Sequence, residues 1–389
     1  MSASRRRPSR RDVLRQLGVG ALGLPLAGCG VAQVGLWPRP APVEVSPPPP
    51  VTPVPLPGDL TVEPVARASV DPVTPATVAA RPALVRPPRL RRGATVGLVA
   101  PAGVLRSRSQ LDDSAEALQS IGFRTVVGDR VLARYGFLAG TDAERARDFM
   151  RMVRDPDVDA IVAVRGGWGC ARILPYLDFD AIAAHPKPIV GYSDVTALLL
   201  AIYARTGLVT FHGPVGVSTW EGLTSQSFLD TLVEGRPPSL GPETRSARDA
   251  TETVRPGVAE GPVAGGNLSV IAALAGTGYL PDFDGHVVFF EEVAEDAYRL
   301  DRLLVQLELA GALDAPAAVV FGQCTRCSSG GSAWTARRTI REHLLRTPAP
   351  TYLGAPIGHA SPVYTLPIGL PARVDADAGT LRYLSPAVA

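Results

Sequence analysis

The pattern of apolar positions divides residues 93–215 into short strands that alternate with helices. The predicted strands are continuous runs of apolar or small residues, which is typical of strands buried on both faces of a parallel sheet. They are "ATVGLVAPAG", "FRTVVGD", "VDAIVAV" and Pro188–Gly191. The predicted helices are Gln110–Ile121, Thr141–Arg154, a segment after the glycine turn at 165–169, and Asp194–Thr206. This alternation predicts an α/β domain built on a parallel sheet.

A second α/β unit begins near Gly257. It contains a glycine turn with a helix ("GGNLSVIAALAGTGYL"), a strand ("HVVFFEEV"), a helix at Ala297–Ala310, a strand ("AAVVFGQC") and a helix at Ala336–Arg346. The remaining residues to 389 have Pro or Gly every few positions, which predicts short strands and turns. Residues 216–256, between the two units, are polar and Pro-rich and favour an interdomain connection.

The first 29 residues have the pattern of an export signal. "SRRDVLRQLGVGALGLPLAGC" combines a basic start with an apolar stretch of about a dozen residues, which is too short to span a bilayer. Residues 9–14 resemble a twin-arginine signal, and "LAGC" resembles a lipobox in which Cys29 is lipidated. We therefore expect an exported protein, held at a membrane by a lipid on Cys29 and facing the cell wall or periplasm.

Residues 30–92 are dominated by proline. This composition favours an extended polyproline II tether, with a Pro-rich ligand for a partner domain as the weaker interpretation. The charge of the remaining chain is close to neutral. The whole sequence has 39 basic and 37 acidic residues, and residues 1–28 account for six arginines and one aspartate. Without them the net charge is about −3, which argues against a nucleic-acid partner.

The four cysteines do not predict a metal site. Cys324 and Cys327 form a single Cys-x-x-Cys, and one such pair without a second cannot build a structural zinc site. A disulfide and a redox pair remain open, but we favour two small residues that flank a tight loop. We predict no metal and no cofactor.

Ser193 is the first candidate for chemistry, because "GYSD" lies where a buried strand stops and a helix starts. Serine is a good N-cap residue, so a capping role is one interpretation. The other is a nucleophile held at the tip of a tight turn. Ligands gather at the carboxyl ends of parallel strands, where the loops at 101–103, 165–169 and 192–194 are expected to meet.

A serine nucleophile needs a histidine base and an acid that orients it. His212 and His359 lie in small-residue loops after apolar strands, where an imidazole can face a cleft, whereas the patterns around His185, His286 and His343 favour solvated or structural side chains. The acid candidates, Glu291 and Glu292, are consecutive at a strand end and point to opposite faces. Periodicity leaves open which of them faces the cleft.

Five motifs in order, "RGGWG", "GYSD", "HGP", "FFEE…E..YRLDR" and "GAPIGH", resemble the LD-carboxypeptidase family of serine peptidases, which includes microcin-immunity peptidases. The resemblance covers about residues 93–389. It implies a Rossmann-like α/β N-terminal domain at 93–215 and a smaller, β-rich α/β C-terminal domain at 257–389.

The resemblance also implies the site residues. By position in the motifs, Ser193 is the nucleophile, His359 is the base and Glu291 orients the base. Backbone amides of Asp194 and Gly167 form the oxyanion hole. The resemblance leaves His212 as a structural residue.

The "RGGWG" turn supplies the expected substrate contacts, Arg165, Gly166 and Trp168. The implied reaction is removal of the terminal D-alanine from murein tetrapeptides, and a homodimer is left open. One alternative is immunity-like cleavage of peptide–nucleotide conjugates, for which Trp168 and Trp220 would form a pair that stacks a nucleobase. The other alternative is a murein-binding lipoprotein that lacks turnover.

Overall fold

A computed structural model of the protein describes residues 81–241 and 251–389. The predicted signal peptide, the lipidation site at Cys29 and most of the Pro-rich tether lie outside the described residues. Within the described ranges, no helix combines the length and apolar character needed to cross a bilayer.

The described residues form two β-sheets with helices packed against them. The strands are β1 (Thr95–Val99), β2 (Arg124–Val127), β3 (Ala160–Ala163), β4 (Ile189–Gly191), β5 (Thr210–His212), β6 (Ser239–Leu240), β7 (Glu252–Arg255), β8 (Val258–Asn267), β9 (Val287–Val293), β10 (Ala318–Thr325), β11 (Thr351–Leu353), β12 (Leu366–Ile368), β13 (Pro371–Asp375) and β14 (Thr380–Tyr383). The helices are α1 (Arg108–Ser120), α2 (Asp142–Arg154), α3 (Cys170–Ile173), α4 (Phe179–Ala184), α5 (Thr196–Thr206), α6 (Leu223–Leu232), α7 (Leu268–Leu274), α8 (Ala297–Leu309) and α9 (Ala336–Leu344).

The first sheet has the strand order β12-β5-β4-β3-β1-β2. Strands β1 to β5 are parallel, as the continuous apolar runs predict, and every residue of β3 and β4 is buried. The edge strand β12 comes from the end of the chain and pairs antiparallel with β5, with Leu366 opposite His212. The C-terminal residues therefore complete the N-terminal sheet.

The second sheet has the strand order β6-β14-β13-β8-β9-β10-β11-β7. Its central strands β8, β9, β10 and β11 are parallel, and antiparallel strands extend it on both sides. The segment between β11 and β12 runs from the second sheet to the first, and it contains His359. Helix α5 contacts β5 of the first sheet and β8 of the second, and nine of its eleven residues are buried. These elements confirm the predicted α/β architecture with two sheets.

Two segments differ from the sequence-based prediction. The last part of the predicted tether pairs with the folded unit: the Val85 amide donates to Gly207 O (2.9 Å) and the Leu90 amide to Leu232 O (2.9 Å). The expected connection at 216–256 contains helix α6, where Phe228 and Leu232 are buried in the core. Both segments have many polar or proline residues, so their few apolar anchors do not form a periodic pattern.

The favoured interpretation of the Cys-x-x-Cys as two unpaired small residues is wrong. Cys324 and Cys327 form a disulfide at the end of β10, with Cα atoms 5.4 Å apart. The turn between them includes Arg326 with φ of 58°, and this reversal brings the two side chains together. The disulfide closes the loop that follows β10. Cys170 is a free, buried cysteine.

Candidate active site

Ser193 occupies a strained turn between β4 and α5. Its φ is 63°, a left-handed conformation that costs a non-glycine residue of order 1–3 kcal/mol and clusters at functional sites. Residues Ser193–Val195 form a 3₁₀ turn that leads into α5, and neither helix has a side-chain cap. The N-cap interpretation of Ser193 is therefore wrong. The geometry is that of a serine presented at the tip of a strand-to-helix turn.

The glycine turn after β3 lies directly against this serine. A Cβ built on Gly166 would lie 2.8 Å from Ser193 Cβ and 3.2 Å from the Asp194 amide nitrogen, so only glycine allows this approach. The Gly103 amide, from the loop after β1, donates to Gly166 O (3.3 Å). The three loops expected at the carboxyl ends of the strands therefore meet. Beside them is a cavity of about 370 Å³, lined by Ser193 and His359 among others.

Gly166→Ala should displace Ser193 while the fold survives. The φ of Gly166 is not in the left-handed region, so the new methyl group acts by contact with Ser193 and not by backbone strain. A misplacement on the order of 1 Å costs about 100-fold in catalysis, and we expect a loss of about that size in kcat/KM for the tetrapeptide that the resemblance implies as substrate. Gly278→Ala is the matched control, since no atom lies within 4 Å of its added Cβ. Equal activity of the two variants would contradict the close contact.

His359, which lines the cavity, forms a short side-chain contact with Glu291. His359 Nδ1 lies 2.7 Å from Glu291 Oε2, with 15% of the histidine side chain exposed and the glutamate fully buried. Because the carboxylate accepts this hydrogen bond, Nδ1 carries the hydrogen and Nε2 is left to accept a proton. The Tyr192 ring packs edge-on against the imidazole, with centroids 4.9 Å apart. No direct hydrogen bond joins Ser193 Oγ and His359 among the described residues, and such contacts often tighten only when substrate is bound.

Contacts with α7 separate the roles of the two consecutive glutamates. Glu292 accepts hydrogen bonds from the amides of Ser269 (2.8 Å) and Val293 (2.8 Å), so it caps the start of α7 and does not reach His359. The Asn267 side chain donates to both carboxylates, at 3.3 Å to Glu291 and 3.0 Å to Glu292. Asn267 was missed from sequence, although an asparagine directly before a helix is a typical N-cap signal.

The Asp194 side chain links the turn that carries Ser193 to the glycine turn at 165–169. Its Oδ2 accepts the amide hydrogen of Cys170 (2.8 Å), the first residue of α3. Burial raises the pKa of the Asp194 carboxyl, and the hydrogen bond from Cys170 opposes part of that rise. Burial and the nearby Asp194 raise the pKa of the Cys170 thiol well above its usual value, so Cys170 is not a competing thiolate nucleophile.

Only some of the predicted substrate contacts line the cavity. Arg165, Gly166 and Gly167 line the cavity, but Trp168 does not, and 45% of its surface is exposed. The Trp168–Trp220 pair that would have favoured the peptide–nucleotide alternative does not form: Trp220 is buried on Phe228, and its indole N–H donates to Val215 O (3.0 Å). The indole of Trp220 is packed in the core, so it cannot stack on a nucleobase.

The cavity also contains residues that the sequence analysis did not single out. They are Arg106, Gln110, Val215 and Val217. Arg106 lies in the loop after β1 and Gln110 lies in the first turn of α1, so their place near a strand's carboxyl end was an available signal. In the part of the chain that the structure describes, no three His, Cys, Asp or Glu side chains are arranged to hold a metal ion.

His212 is buried behind the site, at the end of β5. Its ring packs edge-on against Phe289 (centroids 5.2 Å apart) and Tyr192 (6.0 Å). Burial, and to a lesser extent the charge of His359, lowers the pKa of His212 to about 3. Burial likewise lowers the pKa of His286, which contacts the Tyr203 hydroxyl, to about 4. Both imidazoles are neutral in the folded protein near pH 7.

We expect the free energy of unfolding to fall as pH falls from about 6.5 toward 3. In this window the unfolded chain binds a proton at His212 that the folded chain does not, so acid favours unfolding by about 1.4 kcal/mol per pH unit for that group. His212→Gln should remove this contribution from the slope, as measured by urea unfolding at pH 7, 6, 5 and 4. An unchanged slope would show that His212 is not held neutral by burial.

Comparison with known proteins places this site in a family. The models of the LD-carboxypeptidase N-terminal and C-terminal domains match residues 96–213 and 260–374. A probable murein peptide carboxypeptidase of Bacillus subtilis is 35% identical over 298 residues, covering 75% of this chain and 91% of the relative. The murein tetrapeptide carboxypeptidase of Pseudomonas aeruginosa is 32% identical over 297 residues, covering 72% and 93%.

A solved structure shows the same fold. MccF in complex with glutamyl sulfamoyl guanosine superposes with a TM-score of 0.72 at 28% identity, covering 78% of this chain and 99% of MccF. Both domain models match in order, and relatives above 30% identity cover more than two thirds of the chain. The chain therefore belongs to the LD-carboxypeptidase family of serine peptidases.

Proposed function

We propose that Ser193, His359 and Glu291 act as the catalytic triad of this peptidase. The observation that carries the proposal is the 2.7 Å contact between His359 Nδ1 and the buried carboxylate of Glu291. His359 and Ser193 line the same cavity, and Ser193 has a left-handed backbone conformation. Glu291 holds the imidazole in the tautomer that can accept a proton at Nε2. Among the described residues, no other histidine lines this cavity.

The reaction then proceeds in two steps. Ser193 Oγ attacks the carbonyl carbon of the terminal peptide bond as His359 Nε2 takes its proton, and the amides of Asp194 and Gly167 donate to the oxyanion. The C–N bond breaks, and the proton on His359 passes to the leaving amine. Water, deprotonated by His359, hydrolyses the ester on Ser193 and restores the enzyme. The strained turn and the glycine contact hold the nucleophile and the donors in place before substrate arrives.

The proposed substrate is a murein tetrapeptide with a terminal D-alanine. Two relatives are named as murein peptide carboxypeptidases, and the motif order along this chain follows their family. The bond cut joins an L-configured centre, of diaminopimelate or lysine, to D-alanine. The buried Trp220 removes the aromatic pair on which the peptide–nucleotide alternative depended.

A competition experiment separates these substrates. The full-length chain is incubated with equal concentrations of a murein tetrapeptide and glutamyl sulfamoyl guanosine, and mass spectrometry follows both. We expect conversion of the tetrapeptide to tripeptide with the conjugate intact. Faster hydrolysis of the conjugate would replace the murein proposal with the immunity-like one, and hydrolysis of neither would favour a binding protein without turnover.

We also propose that the enzyme acts outside the cytoplasm, anchored through Cys29. The twin-arginine-like segment, the lipobox-like "LAGC" and the Pro-rich residues that follow support this. The Pro-rich composition of residues 30–80 favours an extended chain, and at about 3.1 Å per residue such a chain would span on the order of 100–200 Å. A reach of that order suits an enzyme that meets the cell wall as a fixed substrate.

Cys29→Ala should move the protein out of the membrane fraction without changing its specific activity. The lipid attaches at residue 29, far along the chain from the site residues, which begin after residue 100. Fractionation after detergent-free lysis, followed by an activity assay of each fraction, measures both properties. Wild-type protein found wholly in the cytosolic fraction, with residues 1–28 still attached, would contradict the anchor and the wall-facing role.

A further inference from the structure

Two guanidinium groups line the cavity beside Ser193 and His359. Arg165 follows β3, and Arg106 lies in the loop between β1 and α1. Arg165 is held by the backbone: Nη1 donates to Val104 O (2.8 Å) and Nε to Gly166 O (3.3 Å). A Cβ built on Gly167 would lie 3.9 Å from Arg165 Nη2. The free face of this guanidinium therefore lies next to the proposed oxyanion hole.

The charges of these two arginines are not balanced by carboxylates. Throughout residues 81–241 and 251–389, no ion pair joins Arg106 or Arg165 to an acidic side chain. Arg165 is partly buried and Arg106 is exposed. By contrast, the buried Arg145 and the exposed Arg172 both pair with Asp142. Arg106 and Arg165 line the same cavity, so their like charges repel each other there, and partial burial together with the positive charge of Arg106 lowers the pKa of Arg165. An anion in the cavity would relieve this repulsion.

The loop that carries Arg106 is fixed in place. The Arg106 amide donates to Gln110 Oε1 (2.9 Å), so the first turn of α1 holds the backbone of Arg106 at the cavity. Arg108, two residues further on, does not line the cavity and instead forms an exposed ion pair with Asp112. Of these two neighbouring arginines, Arg106 is therefore the one that lines the cavity and has no carboxylate partner among the described residues.

The position of Arg165 next to the proposed oxyanion hole favours one anion, the free carboxylate of the leaving residue. When a scissile carbonyl oxygen contacts the amides of Gly167 and Asp194, a free carboxylate on the leaving residue is three bonds from the carbonyl carbon, within roughly 4 Å. A planar guanidinium fork matches a carboxylate and gives a stronger bond than a neutral group. An internal peptide bond would place a neutral amide at the same point.

We propose that Arg106 and Arg165 bind the C-terminal carboxylate of the substrate and restrict the enzyme to removing one terminal residue. This proposal rests on the proposed function, because it assigns a subsite of the same cavity. It makes both arginines specificity-determining residues.

The test compares a murein tetrapeptide that ends in D-alanine with the same peptide that ends in D-alaninamide. We expect wild-type kcat/KM to be about 100-fold or more higher for the free acid. Arg106→Gln and Arg165→Gln should each reduce this preference at least about 10-fold, mainly by raising KM for the acid. Arg108→Gln is the control and should keep the wild-type preference. Equal losses on both peptides would indicate a structural role and overturn the proposal.

Binding to the Ser193→Ala protein tests the subsite without turnover. Calorimetry with the acid and amide peptides should show tighter binding of the acid, and adding Arg106→Gln should reduce that difference. This result would support the subsite whether or not the wild-type chain releases D-alanine. Absence of D-alanine release would instead refute the proposed function. Equal affinity for the two peptides would overturn the carboxylate subsite. A third peptide is amidated only at the side-chain carboxylate of diaminopimelate. If only this change removed the contribution of the two arginines to binding, the arginines would bind the side chain, and the C-terminal carboxylate subsite would be overturned.

Discussion

Ser193→Ala should reduce hydrolysis of the murein tetrapeptide by about 10⁴-fold or more. The variant keeps the left-handed backbone and the packing of Gly166 but lacks the hydroxyl that attacks the carbonyl. Alanine has the same backbone strain as serine at this φ, so we expect little change in the thermal midpoint. Peptide affinity should also be retained, since the hydroxyl is needed for bond making.

The measurement is a progress curve of tripeptide formation, with thermal unfolding and peptide binding recorded on the same protein. Ser225→Ala is the control, because it removes a buried hydroxyl that has no hydrogen-bond partner among the described residues. Adding His359→Ala to Ser193→Ala should cause little further loss, since triad members act as a unit. Residual activity within tenfold of wild type in Ser193→Ala would exclude this serine as the nucleophile.

Glu291→Gln should lower kcat by about 10³- to 10⁴-fold, and Glu292→Gln should cost far less. Glutamine has the size of glutamate but cannot hold the His359 tautomer or stabilise the imidazolium, which is the expected origin of the loss. Glu292 accepts hydrogen bonds from the amides of Ser269 and Val293, so its replacement should mainly lower stability.

The two glutamate variants control for each other. The two residues are adjacent and both buried, and each substitution replaces one carboxylate oxygen by an amide nitrogen. Activity and thermal unfolding measured on both separate an orienting role from a structural one. A greater loss of activity in Glu292→Gln than in Glu291→Gln would reverse the assignment of the acid that orients the base.

Local patterns were sufficient for much of the fold and for Ser193. Strand β4 is a short buried run followed directly by an apolar helix, so residues within about 20 positions place the serine at the tip of the turn. The alternation of strands and helices along both α/β units likewise follows from the apolar pattern, whereas the order of the strands within each sheet does not. These features depend on neighbours in sequence, which is why the sequence predicts them.

Features set by distant contacts were harder to predict. Alternation could not choose between Glu291 and Glu292, because the decision comes from Ser269 at the start of α7 and from His359, which lies 68 residues from Glu291. Trp220 looked available for stacking because its burial depends on Phe228 of a helix that the polar composition of 216–256 concealed. The Cys324–Cys327 pair required a backbone reversal at Arg326 that has no glycine to signal it.

The cavity arginines show the same limit. Arg165 lies in the "RGGWG" motif and could be assigned from sequence, whereas Arg106 lies outside the motifs and only two positions from Arg108. Only the fold shows that Arg106 lines the cavity while Arg108 pairs with Asp112. Which charges lack a partner is a property of tertiary structure.

Release of free D-alanine by the full-length chain tests the central claim most directly. The purified protein is incubated with a murein tetrapeptide that ends in L-diaminopimelyl-D-alanine and, separately, with the pentapeptide that ends in D-alanyl-D-alanine. Free D-alanine is measured with a stereospecific oxidase, with Ser193→Ala in parallel. The account predicts one equivalent of D-alanine from the tetrapeptide, little from the pentapeptide and none from Ser193→Ala. Absence of D-alanine from the tetrapeptide, or equal release by Ser193→Ala, would contradict it.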